Sequence, residues 1–151
     1  MIEWQWYEHD ELAIREWHAV MSARVAVFVV EQQCAYQELD DWDLRAFHLV
    51  GWEGREVAAY LRCFAPGVKF AEASIGRILT TQRFRSGGLG RELVARGLAR
   101  IDADFPGSPV RIGAQAHLER FYAAFGFATA SAPYDEDGIP HIQMLRPGSG
   151  A

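Results

Sequence analysis

Residues 81–94 read TQRFRSGGLGRELV. Three glycines (Gly87, Gly88, Gly90) and three arginines (Arg83, Arg85, Arg91) lie between an apolar run, SIGRILT at 74–80, and a segment with helical spacing. A strand, a glycine-rich turn and a helix start make an anion site in outline. Glycines admit positive φ angles, so successive amide N–H groups can converge on one point. The helix start adds unpaired N–H groups and the positive end of its dipole, and arginines can grip phosphate oxygens two bonds at a time. Two familiar phosphate loops are excluded by the letters themselves. A Walker loop needs Lys then Ser or Thr after its second glycine, and Gly90 is followed by Arg91-Glu92. A dinucleotide fingerprint begun at Gly88 needs a third glycine where Leu93 stands.

The flanking elements follow from periodicity. IEWQWY (2–7) alternates and reads as a first strand. Asp10 is placed to cap a helix running to about Phe28, with Ile14, Trp17, Met21, Val25 and Phe28 as its apolar stripe. EQQCAYQELDDWD (31–43) breaks that period and reads as a loop or an irregular helix. AFHLVGW (46–52) and EVAAYLRCF (56–64) flank Glu53-Gly54 as a hairpin. A second helix from about Leu89 to Asp104 turns Leu89, Leu93, Leu98, Ile101 and Phe105 inward and pairs Glu92 with Arg96 outside. PVRIGAQA (109–116) is a strand, and HLERFYAAF (117–125) a short helix ended by Gly126. Phe127 opens another strand, and Asp137-Gly138 turns the chain into a last one, HIQML (141–145). The order β-α-β-β-β-α-β-α-β-β gives an α/β (α+β) fold, a mixed sheet with helices on its faces. One domain is expected over 1–147, followed by a frayed tail at 148–151.

Half of the 151 residues are hydrophobic and 13% are aromatic, which suits a globular core. No apolar run nears the roughly 20 residues of a membrane span, and MIEWQWYEHDE lacks the basic and apolar regions of a signal peptide. Two cysteines, Cys34 and Cys63, at this spacing suggest a reduced, cytoplasmic setting and no zinc ribbon. The net charge of −5 divides unevenly: residues 1–60 carry 12 acidic and 4 basic side chains, residues 61–151 carry 8 and 11. That split suits one anionic and one cationic partner, or an ordinary solvated surface. The acidic total argues against nucleic acid as partner.

The hexapeptide Arg85-Ser86-Gly87-Gly88-Leu89-Gly90 resembles the Q/R-x-x-G-x-G/A motif of the GNAT acetyltransferases, whose loop holds the pyrophosphate of acetyl-CoA. Tyr122, Gly126 and Phe127 in HLERFYAAFGF are similar to that family's later Tyr-x-x-x-Gly-Phe motif. The stretches 24–43, 113–127 and 134–145 look like the ElaA-type branch, over nearly the whole chain. Arg24, Val27 and Phe28 also bear a faint likeness to the Arg-x-x-Val-Phe of acyl-homoserine-lactone synthases.

The GNAT resemblance implies a mostly antiparallel sheet in which two parallel strands, SIGRILT and RIGAQA, splay apart, with pantetheine lying in the gap. Ile78, Leu79 and Thr80 would bond pantetheine through their N–H groups and polarise the thioester. Arg85, Ser86, Gly87, Gly88, Leu89, Gly90 and Arg91 would hold the pyrophosphate, with Gln115 touching cofactor or substrate. Tyr122 matches the general acid, or simply packs on the apolar side of its helix. For the base there are Glu31, expected half-buried with a raised pKa, His117, or water. Glu31, Tyr36, Asp40 and Asp43 would form an acidic wall for a cationic amine, with Trp42 beside it. His141 and the DGIP turn before it read as a hairpin feature or, alternatively, as part of the pocket's rim. The implied activity is acetyl-CoA-dependent N-acetylation of a small-molecule or peptide amine, without metal, by a monomer or homodimer. A non-catalytic acyl-CoA-binding module and a lactone-synthase-like enzyme are the alternatives.

Overall fold

The structure, a computed structural model, describes residues 1–148. Of the tail expected at 148–151, residues 149–151 lie outside the described residues. Eight strands form one sheet: β1 (Glu3–Glu8), β2 (Phe47–Glu53), β3 (Glu56–Phe64), β4 (Ala73–Thr80), β5 (Val110–Gln115), β6 (Ala128–Thr129), β7 (Tyr134–Glu136) and β8 (Ile139–Arg146). The spatial order is β1-β2-β3-β4-β5-β8-β6, with β7 also on β8. Every pairing is antiparallel except β4 with β5. This is the mixed, mostly antiparallel sheet of a GNAT fold. The strand expected from Phe127 is divided into β6 and β7, both of which lean on β8.

Helix α1 (Ile14–Val25) covers one face of the sheet; α2 (Leu89–Asp104) and α3 (Glu119–Ala123) cover the other. On the α2 face Leu93, Leu98 and Ile101 bury against Leu49, Leu61, Ile75 and Ile112, as their spacing foretells. Gly97 allows the closest approach, since a Cβ there would stand 2.9 Å from Leu61 Cδ2. The helix expected over 117–125 is a 3₁₀ turn (Ala116–Leu118) followed by the shorter α3, and Gly126, three residues past its end, takes φ 95°, the left-handed conformation that closes helix C-termini.

Helix α1 keeps its expected stripe only in part. Trp17, Met21 and Phe28 pack against the core, but Ile14 is 88% exposed and Val25 is exposed, and the buried positions are Val20, Ala23, Arg24 and Val27. At about 100° per residue, the buried face is turned by roughly a quarter turn from the apolar stripe. The reason is Arg24, wholly buried and held by Glu38 (Nε to Oε2, 2.6 Å) and Asp43 (Nη1 to Oδ1, 2.6 Å). An ion pair of this kind fixes the helix because no other rotation satisfies the guanidinium. Asp10 does not cap the helix: it lies in a 3₁₀ turn (His9–Glu11), and Ala13 begins α1 with its N–H donated to Glu16 (2.8 Å). Beyond Val25 the helix widens into a π-helical segment, Ala26–Glu31, before the loop starts.

Arg24→Ala leaves two buried carboxylates short of a partner and should lower the unfolding free energy by about 3–5 kcal/mol. Ile14→Ser should change it by less than about 0.5 kcal/mol. Urea titration of both variants separates this orientation from the one that the apolar stripe suggests.

Candidate active site

The two parallel strands pair at only two positions, Ala73 with Val110 and Ser74 with Arg111. Beyond them β4 stays on β3 as far as Thr80, and β5 stays on β8 as far as Gln115. The facing edges of 75–80 and 112–115 therefore have no ladder partner. A bulge starts the divergence: the β3–β4 register shifts between Tyr60 and Arg62, and Arg77 opposite takes φ 50°. Bulges bend their strand and increase its twist, which turns β4 away from β5. A left-handed arginine is strained, and this one is held by bonds to the Glu38 carbonyl (3.1 Å) and Asp40 (3.3 Å), with its Nε against the Glu38 carboxylate.

The gap opens a cleft of about 350 Å³ that passes through the sheet. On β5, Ile112 and Ala114 point toward α2 and α3, where Tyr122 and Leu118 close that side. Gln115 points the other way, donating to Gln32 (3.3 Å) at the end of the π-helical segment. On that second side the lining comes from Phe28, the loop residues Cys34, Tyr36, Asp40 and Trp42, and His141 of β8. Cys34 donates to the Asp137 carbonyl (3.1 Å), tying the loop to the β7–β8 hairpin over the cleft.

Tyr122 is 6% exposed, and burial pushes its phenol up to about 12, so it stays protonated across neutral pH. No protein group accepts its hydroxyl among the described residues. Ile78 lines the cleft, whereas the Leu79 side chain belongs to the α1-side core. The Thr80 carbonyl is already taken by Arg85 (3.0 and 2.9 Å).

The glycine loop has the outline foreseen, with its parts exchanged. Only Gly88 of the three glycines has positive φ (78°), as the residue before α2; the other left-handed position is Ser86 (φ 80°). Gly90 is helical, and a Cβ there would meet only Phe121, at 3.9 Å. No side chain caps α2, so the amides that open it remain available to an anion. Arg83 pairs with Glu56, and Arg85 holds Thr80 and Glu31 (2.9 Å), so both shape the loop. Gly87 and Arg91 are exposed, Leu89 packs on the core, and Arg91 forms no ion pair among the described residues.

Two expected bases sit elsewhere. Glu31 is exposed rather than half-buried, outside the cleft and paired with Arg85. His117 is exposed on a 3₁₀ turn (Ala116–Leu118) and does not line the cleft. The acidic wall is not a free negative surface either. Asp40 receives two bonds from Arg62 (2.6 and 3.1 Å) besides that of Arg77. Asp43 receives Arg62 (2.8 Å) as well as Arg24. Three carboxylates thus meet three arginines. Burial would raise the Asp40 carboxyl, but the bond and charge of Arg62, with Arg77 and Arg24, hold it below the ordinary carboxylate value. Tyr36 donates to Glu38 (2.8 Å) under the Arg77 guanidinium, and Trp42 packs edge-on against Phe64.

Glu38, Arg62, Arg77 and His48 carry no signal in a motif. Arg62 and Arg77 had one in their context, since a charge inside an apolar strand (EVAAYLRCF, SIGRILT) must be paired. Behind the network, buried His48 is bracketed by the Tyr60 hydroxyl (2.6 Å from Nδ1) and the Asp43 carbonyl (3.1 Å from Nε2). Both bonds are satisfied by a neutral ring that donates from Nε2 and accepts at Nδ1.

This architecture can be set beside known proteins. A family model described as an acetyltransferase (GNAT) domain matches residues 10–146. The chain belongs to the GNAT acetyltransferase family. Protein ElaA of Escherichia coli K12 is 41% identical over 148 residues, 97% of each chain. The crystal structure of Escherichia coli ElaA has a TM-score of 0.90 at 40% identity, covering 97% of this chain and 99% of that one. A Pseudomonas aeruginosa structure described as an acyl-CoA N-acyltransferase has a TM-score of 0.92 at 38% identity, with the same coverage. A CoA-dependent acyl-homoserine lactone synthase is alike in fold alone, at 15% identity and a TM-score of 0.76, covering 96% of this chain and 82% of that one. Within this GNAT chain no described helix is long and apolar enough to cross a membrane.

Burial lowers the His48 pKa to about 4, against roughly 6.5 in the unfolded chain. Between these values the unfolded state binds the extra proton, so stability rises with pH there by about 1.4 kcal/mol per unit. The contribution is complete above pH ~6.5 and lost as pH falls toward 4. Asp40 acts only below its ordinary value near 3.9, outside this window. Urea midpoints of the wild type should show the slope, and those of His48→Asn should be flatter across it.

Proposed function

We propose that this protein is an acetyl-CoA-dependent N-acyltransferase that acetylates a primary amine by direct attack in a ternary complex. The carrying observation is the cleft through the sheet. It has unpartnered strand edges, a protonated tyrosine on one side and a polar chamber on the other. An acyl-CoA supplies an activated acyl group; the residues supply its placement. The uncapped start of α2, with Gly88, is the anion site for the pyrophosphate, and Arg91 is the cation free to join it. Ile78 and the edge amides of β4 are suited to pantetheine and to the thioester oxygen. Gln115 stands at the exit of the gap toward the acceptor side. Tyr36 and Trp42 give that side an aromatic wall, while Asp40 is committed to Arg62 and Arg77 and shapes the wall rather than neutralising an ammonium.

Magnitudes limit what Tyr122 does. A phenol at about 12 is a weaker acid than a thiol, near 8.5, so complete transfer to a thiolate is uphill. The hydroxyl therefore serves first as a hydrogen-bond donor to developing charge on sulfur. Its removal should be costly without being fatal.

Acetyl-CoA should raise the melting temperature of the wild type, and thiol release against a panel of primary amines should identify an acceptor. Tyr122→Phe should keep the melting shift and slow release by about 10- to 100-fold. Gly90→Val should fold, since the backbone there is helical and the space open, yet lose the melting shift because the new side chain fills the anion site. A normal shift in Gly90→Val contradicts this placement of the cofactor. A shift without release from any amine indicates a binding module instead.

A further inference from the structure

Among the described residues, one imidazole faces the acceptor side of the cleft, and it is neither of the bases suggested by the sequence. His141 lies on β8 directly opposite Gln115 of β5, 8% exposed, with its ring over that of Tyr134. Its Nδ1 stands 2.7 Å from the Ile139 carbonyl. A carbonyl only accepts, so Nδ1 carries the hydrogen and Nε2 of the neutral ring keeps its lone pair. That nitrogen has the Glu136 carboxylate 3.3 Å away. In the neutral ring Nε2 is thus the one atom at which His141 can accept a proton, and Glu136 is placed to pair with the imidazolium that would form.

We propose that His141 is the general base of the transfer, accepting the proton that the attacking amine sheds, with Glu136 stabilising the imidazolium. The inference rests on the acyl-transfer reading above. The fold separates the two proton-handling groups: Tyr122 is on the α3 side of the sheet and His141 on the α1 side, with the gap between them. As the C–N bond forms, Nε2 takes the proton from nitrogen. As the C–S bond breaks, its electron pair leaves with sulfur, whose developing charge the Tyr122 hydroxyl stabilises by donating a hydrogen bond. The proton on His141 reaches the thiolate through solvent, so the sum is amine plus thioester to amide plus thiol.

Two measurements test the proposal. In the free protein, nitrogen-15 spectra of the histidines at mildly alkaline pH should show His141 as the Nδ1-protonated tautomer. This readout is independent of any substrate, and an Nε2-protonated ring overturns the assignment. In thiol-release assays with acetyl-CoA and the best amine of the panel, His141→Gln and His141→Ala should lose about 100-fold in kcat/KM. Their acetyl-CoA melting shift should be unchanged, and added imidazole should restore much of the rate of His141→Ala. Glu136→Gln should lose less, roughly tenfold or under. Wild-type rates in both His141 variants overturn the proposal while leaving acyl transfer intact. A wild type that binds acetyl-CoA but releases thiol with no amine overturns the acyl-transfer reading and this inference with it.

Discussion

The molecule depends on a sheet that fails to close at one place. β4 and β5 begin as a parallel pair and part after two residues on each strand. In an otherwise continuous sheet, exposed strand edges cost hydrogen bonds unless something else takes them. The fold bears that cost by fastening each strand firmly on its other side, β4 to β3 and β5 to β8, while the bulge at Arg77 turns β4 outward. The result is a slot lined by backbone donors and acceptors, opening onto both faces. An extended chain with amide groups of its own is the natural complement to such a slot, and pantetheine is a chain of that kind.

The second structural commitment is ionic. Arg24, Arg62 and Arg77 come from three different elements and converge on Glu38, Asp40 and Asp43 of one loop. Removing charges from water is expensive, so a network of this kind is a poor source of raw stability. What it provides is position. It orients α1, holds the strained backbone of Arg77 at the bulge and lays the loop across the acceptor side of the cleft. Three of the twelve acidic side chains in the first 60 residues are committed in this way, so the acidic wall itself says less about a cationic partner than the charge count suggests.

Much of the fold was legible because its signals are local. The glycine loop, helix α2, the β2–β3 hairpin and the Tyr122 motif each lie within a short window, and each stands where the sequence reading puts it. The orientation of α1 was legible only in part: Trp17, Met21 and Phe28 of its apolar stripe pack on the core, while the contacts of Arg24 that turn the buried face lie 14 and 19 residues away. Glu31 and His117 had the right chemistry and the wrong placement, because whether a residue at an element's end faces a cleft depends on how the chain turns there. His141 was legible as part of a hairpin or of the pocket's rim and not as a base; its place opposite Gln115 is a matter of β5–β8 register. The loop arginines show the same limit, since Arg85 matches the motif by letter yet is bonded to Thr80 and Glu31.

The most direct test of the account is amide hydrogen exchange with and without acetyl-CoA. Edge amides within 75–80 and 112–115 should exchange readily in the free protein and become protected when acetyl-CoA is added, along with those opening α2. The paired amides of β2 and β3 should change little. Acetyl-CoA binding that leaves the β4 and β5 edges unprotected would contradict the claim that the slot between these strands is where the cofactor lies.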